Sequence, residues 1–260
     1  MSANTIYVFS GSGNCLDIAK NIAKKLGDTD IVLMRSAPVK TDATDSKRVG
    51  FVFPCYAGGL PGGVEESFRA VKIAPGTYTF GVTSCAAYPG VGLSVLNSIH
   101  KLDYWNVVTH QCSCIWLFPH DLMMPMMDAE KAQARSERLA ALIGAEILGG
   151  VRTPKAPKAN FFNKLEASAW PALSKKKAEK LHATEDCVTC GQCVWLCPKG
   201  NIRIEDGRPV FGTDCIGCLA CLQYCPKQAI NMGGVTVTRE RYHNPKVPAA
   251  ELMEKLIHID

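Results

Sequence analysis

The chain has 260 residues, 47% of them hydrophobic and 20% charged, with a formal net charge of +5 at pH 7. This is the composition of a folded soluble protein with room for one large or two ordinary domains. Much of the positive charge lies between Lys155 and Lys180, so no nucleic-acid partner follows from it, and no apolar run reaches the ~20 residues that a spanning helix needs.

Thr5–Ser10 is a short apolar run rich in β-formers, followed by a tight Gly11–Asn14 loop. From Cys15 to Leu26, apolar residues at Leu16, Ile18, Ala19, Ile22, Ala23 and Leu26 recur with helical period. Ile31–Met34 and Lys47–Phe53 read as strands, with a Gly/Pro loop over Pro54–Gly63. Val64–Ile73 reads as a helix whose first turn carries Glu65 and Glu66, where the dipole favours acids. Thr77–Thr83 is the fourth strand, Ser84–Gly92 a small-residue loop, Leu93–His100 a helix and Tyr104–Cys112 the fifth strand. Asp128–Leu148 is a long helix with Leu139, Leu142, Ile143 and Ile147 on its apolar face. This alternation argues an α/β fold, a doubly wound parallel five-stranded sheet with helices on both faces.

After Gly149-Gly150 the composition shifts to a Pro/Lys-rich stretch, Arg152–Lys158. Phe161–Leu181 reads as a helix broken at Pro171, and Lys175–Lys177 as a solvated spacer face. Val235–His243 reads as a strand and turn, and Ala249–His258 as a capping helix. The expected organisation is a first domain over 1–150, a linker with a helical segment over 151–183, and a small α+β domain with a C-terminal helical extension over 184–260.

Between Ser10 and Cys15 the chain reads Ser-Gly-Ser-Gly-Asn-Cys, between a first strand and a first helix. Amides of such a loop and of a helix N-terminus point at an anion. No Gly-Lys-Ser/Thr follows, so it is not a Walker A loop. Position 16 is Leu rather than a third Gly, so it is a poor dinucleotide fingerprint. The loop resembles the phosphate loop of the flavodoxins, T/S-x-T/S-G-N-T/S. Asn14 matches that family's Asn, and Cys15 stands where Ser or Thr is usual, a thiol being a weaker donor. The resemblance implies FMN, with its phosphate on Ser10, Gly11, Ser12, Gly13, Asn14 and Cys15. It further implies a ring pinched between Pro54, Cys55, Tyr56, Ala57 and Gly58 after the third strand and Ser84, Cys85, Ala86, Tyr88 and Gly90 after the fourth. Tyr56 and Tyr88 are the candidates for stacking on the ring. The alternative is that either is a surface-loop aromatic.

Two stretches of the second half repeat one spacing. Cys187, Cys190, Cys193 and Cys197 precede Pro198, and Cys215, Cys218, Cys221 and Cys225 precede Pro226. Each is C-x2-C-x2-C-x3-C-P, as in bacterial two-cluster ferredoxins, where the fourth Cys ligates the other cluster. A pair of zinc sites is the competing reading, and eight cysteines in two quartets ending in Pro fit it poorly. Over about residues 184–235 the chain resembles the bacterial two-[4Fe–4S] ferredoxins. That resemblance implies one cluster on Cys187, Cys190, Cys193 and Cys225, and a second on Cys215, Cys218, Cys221 and Cys197. The remaining cysteines, 15, 55, 85, 112 and 114, are expected to be free thiols, with Cys55 and Cys85 most simply small buried residues and no role for Cys112 or Cys114. His110 and His120, near Met123–Met127, suggest a soft-metal site or an apolar lid or partner surface.

The two resemblances together imply a flavodoxin–ferredoxin fusion of the kind found in anaerobes. The expected function is transfer of low-potential electrons between two [4Fe–4S] clusters and FMN, and on to ferredoxin- or flavoprotein-type partners, with no catalytic residue. The alternative is a flavin oxidoreductase that reduces a small substrate beneath a Phe118–Met127 roof. A third reading is a redox-sensing module. No signal peptide opens the sequence and cluster ligation needs a reducing compartment, so a cytoplasmic location is expected.

Overall fold

The computed structural model describes residues 2–35, 40–115 and 128–260. Strands β1 (Asn4–Val8), β2 (Thr29–Leu33), β3 (Arg48–Pro54), β4 (Tyr78–Cys85) and β5 (Tyr104–Thr109) all pair in parallel. Their order is β2-β1-β3-β4-β5, which is the flavodoxin-like order, with its switch point between β1 and β3. Side chains alternate across the sheet as the strand period requires. Ile6 and Val8 enter one apolar core with Leu16 and Ile22, whereas Tyr7 and Phe9 enter the opposite core with Phe51 and Phe68.

Helices α1 (Asn14–Leu26) and α4 (Ala129–Leu148) cover the first face, and α2 (Val64–Ala70) and α3 (Gly92–Ile99) the second. The buried stripe of α4 is Ala132, Gln133, Ser136, Ala140, Ile143, Gly144 and Ile147. Leu142, expected on that face, is 62% exposed. Small residues bring the two helices together: a β-carbon on Gly144 would lie 2.8 Å from the Lys25 β-carbon. A larger side chain in that seam would push α4 off the sheet.

The second half carries α5 (Phe161–Ala178), β6 (Leu181–Ala183), α6 (Gln192–Leu196), β7 (Ile202–Glu205), β8 (Arg208–Phe211), α7 (Ala220–Gln223) and β9 (Ile230–Met232). β6 pairs with β9 and β7 with β8, both antiparallel. The duplication seen in the cysteine spacing extends to the backbone. Thr189 and Gly217, Gly191 and Leu219, and Gly200 and Gln228 all have positive φ at equivalent points of the two repeats.

Four expectations are corrected. Helix α5 runs through Pro171 without a break, with Trp170 buried and Ser174 Oγ donating to the Pro171 carbonyl. Residues 234–236 form a 3-10 turn rather than a strand. The C-terminal helix is only α8 (Ala249–Met253). After it the chain extends as β10 (Leu256–Ile259) and joins the large sheet antiparallel to β2. Leu252, Leu256 and Ile257 suggest the packing residues of one longer helix, but the open edge of β2 offers a full backbone ladder, which the four residues of β10 satisfy better than an added helical turn.

Candidate functional site

The loops after β1, β3 and β4 meet at one cleft. Its lining includes Ser10, Gly11, Ser12, Asn14, Cys15, Pro54, Cys55, Tyr56, Ala57, Gly58, Ser84, Cys85, Ala86 and Tyr88. Two expected contacts lie elsewhere. Gly13, at φ 92°, faces the C-terminal segment, and a β-carbon there would lie 2.6 Å from the Tyr224 hydroxyl and 2.9 Å from the Asn244 β-carbon. Gly90, at φ 65°, lies where two loops lock together: the next residue, Val91, donates its N–H to the Gly58 carbonyl at 2.8 Å, and a β-carbon on Gly90 would sit 2.2 Å from that oxygen. Tyr56 is no surface aromatic. It packs edge-on against Phe9 and Trp170, and burial raises its phenol well above the ordinary range. Tyr88 is half-exposed at the mouth and donates to Glu166.

The cleft is completed by residues that the sequence did not suggest: Gln111, Ser113, Glu166, Trp170, Gly217 and Leu219. Gln111 and Ser113 follow β5, and strand order alone could have pointed to them. Glu166 and Trp170 come from α5, so the segment read as a spacer is the roof of the site. Nothing local in the sequence signals this. All five cysteines outside the quartets line the same cleft. Burial pushes the Cys55 thiol up to about 12 and the Cys85 thiol up to about 11, so they are neutral, small, polarisable wall rather than nucleophiles.

Behind the first loop lies a buried polar network. Asn14 Oδ1 accepts from the Tyr242 hydroxyl at 2.8 Å and from Asn244 Nδ2 at 3.3 Å. Asn244 Nδ2 also donates to Gln133 Oε1, and its backbone N–H to the Ser12 carbonyl. His110 lies within this network beside Gln133 and Tyr242, and burial lowers its pKa to about 4. It is therefore neutral at pH 7 and turned inward. His120 and Met123–Met127, and with them the Phe118–Met127 roof, lie outside the described residues.

The eight quartet cysteines surround two separate cavities. Cys187, Cys190, Cys193 and Cys225 line the first, and Cys197, Cys215 and Cys218 the second, while Cys221 touches both. Among the described residues no three His, Cys, Asp or Glu side chains gather tightly enough for a single ion, as four-coordinate zinc would require. Backbone amides serve the sulfurs: Asn201 N–H donates to Cys197 Sγ at 3.2 Å and Gly217 N–H to Cys215 Sγ at 3.5 Å. Thiols spread around a small cavity, with amide donors turned toward them, fit a cubane cluster. For FMN the fitting observations are two buried polar atoms without a hydrogen-bond partner among the described residues, Ser10 Oγ and Gln111 Oε1, both on residues that line the cleft.

Residues 163–239 match the family model described as a 4Fe-4S dicluster domain. The match begins inside α5, ahead of the cysteines. No curated protein matches the chain. Among solved structures, the chain is similar to an FMN-dependent NADH-azoreductase from Bacillus anthracis, with 9% identity and a TM-score of 0.41 over 57% of this chain and 100% of that one. It is also similar to a flavodoxin from the domain Archaea, with 11% identity and a TM-score of 0.36 over 55% and 98%. For the flavodiiron protein from Giardia intestinalis the values are 14% identity and a TM-score of 0.36 over 56% and 36%. The strand order and the dicluster match together make this a flavodoxin-like sheet joined to an iron–sulfur domain, a redox protein. Among the described residues no helix is long and apolar enough to cross a membrane.

Proposed function

We propose that this chain is an electron-transfer protein that binds FMN in the cleft and two [4Fe–4S] clusters in the cysteine cavities, and passes electrons among them and to outside redox partners. The carrying observation is that Gly217, Cys218 and Leu219 of the second quartet are themselves cleft wall. The contact is tight: a β-carbon on Gly11 would lie 2.5 Å from the Cys218 carbonyl oxygen and 2.8 Å from the Tyr56 hydroxyl. A ligand of one cofactor thus touches the loop that serves the other.

Bound, FMN exchanges one or two electrons and each cluster one, and the chemistry is theirs. The chain binds, spaces and screens. Ser10, Ser12 and the loop amides hold the phosphate, while Tyr56 and Trp170 exclude water from the inner cleft. Cys187, Cys190, Cys193 and Cys225 hold one cluster, and Cys197, Cys215, Cys218 and Cys221 the other. Cys190 is exposed and Cys218 lines both the second cavity and the cleft, so electrons from a partner would enter at the first cluster and reach the flavin through the second.

The test begins with iron, sulfide and flavin counts on anaerobically purified protein, where two clusters and one FMN per chain are expected. Cys190→Ala should keep FMN and lower the rate at which a reduced protein carrier reduces the flavin by tenfold or more. An unchanged rate overturns the order of transfer. Steady turnover of a small organic acceptor at the flavin would make the protein an oxidoreductase instead.

A further inference from the structure

We propose that each cluster has a dedicated arginine beside its crossing cysteine, Arg35 at Cys197 and Arg241 at Cys225, and that these two guanidinium groups raise the reduction potentials of the second and first cluster respectively. This rests on the reading of the eight cysteines as two cluster sites.

Arg35 follows β2 in the flavin-binding half and reaches across to the other half. Its Nη1 donates to the Leu252 carbonyl at 2.6 Å, and its Nη2 to the carbonyls of Trp195 and, at 3.2 Å, Cys197. Both terminal nitrogens are committed to backbone oxygens, so toward the cluster the side chain offers charge. Burial works against that charge, and the thiolates of Cys197 and Cys218, both on the second cavity, work for it.

Arg241 is used differently. Its Nη2 donates to the Ile230 carbonyl at 3.1 Å and to Asn231 Oδ1 at 2.7 Å. Its Nε and Nη1 are buried and have no hydrogen-bond partner among the described residues. Two buried guanidinium N–H groups left without acceptors are costly to fold. Ile230, whose carbonyl Arg241 bonds, lines the first cavity with Cys225, the thiolate that works in favour of the Arg241 charge. A cluster carrying four thiolates supplies both the missing acceptors and the missing negative charge. Hydrogen bonds to sulfur and net local charge are among the determinants of cluster potential. Each added electron makes the cluster more negative, so a fixed cation stabilises the reduced form and raises the midpoint. Two arginines from unrelated elements serve equivalent places in the repeat: Arg35 bonds the Cys197 carbonyl, and Arg241 bonds Ile230, which shares the first cavity with Cys225. The competing account is that both merely pin loops.

The experiment is an anaerobic redox titration of the full, cofactor-loaded chain followed by EPR, with iron and sulfide counted in every sample. Signals are assigned with the single-ligand variants Cys197→Ala and Cys225→Ala. Arg241→Gln should lower the midpoint of the first cluster alone, and Arg35→Gln that of the second alone, each by about tenfold in the reduction equilibrium, about 59 mV for one electron. The lysine variants keep charge and tolerate folding better. Arg35→Lys should hold its midpoint, because charge is what acts there, and Arg241→Lys should still fall, because the forked donors are lost. Full cluster content with both midpoints unmoved in all four variants overturns the proposal, as does a fall in Arg35→Lys equal to that in Arg35→Gln. A wild-type chain without two clusters instead refutes the underlying reading.

Discussion

Gln228 and Gly200 occupy equivalent points three residues after Cys225 and Cys197, and both have positive φ, 50° and 61°. A side chain in that region costs roughly 1–2 kcal/mol, which glycine avoids while giving back ~0.5–1 kcal/mol of chain entropy. Gln228 is exposed, so little packing offsets the strain. Gln228→Gly should therefore stabilise the cluster-loaded protein by less than about 1 kcal/mol, and Gly200→Gln should destabilise it by about 1 kcal/mol. Urea unfolding under anaerobic conditions reads both, and a loss of stability in Gln228→Gly would contradict the account. Cysteine spacing could be read from the sequence because each quartet lies within eleven residues and repeats. The sign of φ at residue 228 could not, because the wrap of the loop imposes it and Gln carries no mark of it. The same division holds in the cleft. Asn14 was legible as part of an anion loop, but its bonds to Tyr242 and Asn244 join residues more than two hundred positions apart. The gathering of Cys15, Cys55, Cys85, Cys112 and Cys114 likewise comes from strand ends that only the sheet brings together.

At the scale of elements, β10 is the piece that periodicity misread, and its docking has a pH signature. Asp30 on β2 is partly buried, which alone would raise its pKa. Hydrogen bonds from Lys40, Ser2 and His258 outweigh that and bring it to about 2. Its contribution is complete above the unfolded value of ~3.9 and is lost as pH falls toward the folded one. His258 on β10 shifts the other way, raised by its hydrogen bond to Asp30. Its contribution is complete below ~6.5 and is lost as pH rises through the folded value. The β10–β2 ladder should accordingly be tightest between about pH 4 and 6.5. Amide exchange at Ile257 and Ile259, measured across pH and corrected for intrinsic rates, should show greatest protection there. Asp30→Asn should flatten the profile, and an unchanged profile in that variant would remove the pair from the explanation. The five parallel strands were legible because alternating apolar runs between glycine loops carry a strong local signal. β10 carries none: its pairing partner lies at the other end of the chain. Helix α5 was legible as a helix but not as a roof, since Trp170 finds its place in a cluster with Tyr56, Leu219, Leu222 and Ile230, all distant in sequence.

For the whole molecule, the question is whether the two halves are tethered or interlocked. The sequence suggests a tether, a Pro/Lys stretch holding two modules at an effective concentration on the order of mM. The structure shows interlocking. The C-terminal strand enters the first sheet, α5 roofs the first cleft, and Arg35 crosses to the carbonyls of Trp195 and Cys197. Gln223 Nε2 donates to the Ser113 carbonyl at 2.8 Å, and Lys20 pairs with Glu251 at 2.6 Å. These contacts come from at least four separate stretches of the second half, so cutting one covalent connection leaves all of them in place. A protease site placed between Lys155 and Asn160 should yield two fragments that still elute together in gel filtration at low micromolar concentration. Flavin reduction through the clusters in that nicked complex should proceed at the rate of the intact chain and be independent of protein concentration. A pure tether predicts the opposite: fragments that part on the column and a rate that rises linearly with concentration. Deleting residues 241–260 separates the two accounts a second way. It leaves the tether whole but removes β10, Tyr242 and Asn244, the contacts behind the Ser10–Cys15 loop. Under interlocking, FMN affinity should fall in this truncated chain even though every residue lining the cleft is present. Unchanged FMN affinity there, together with separating fragments in the nicked chain, would return the molecule to two independent modules on a string.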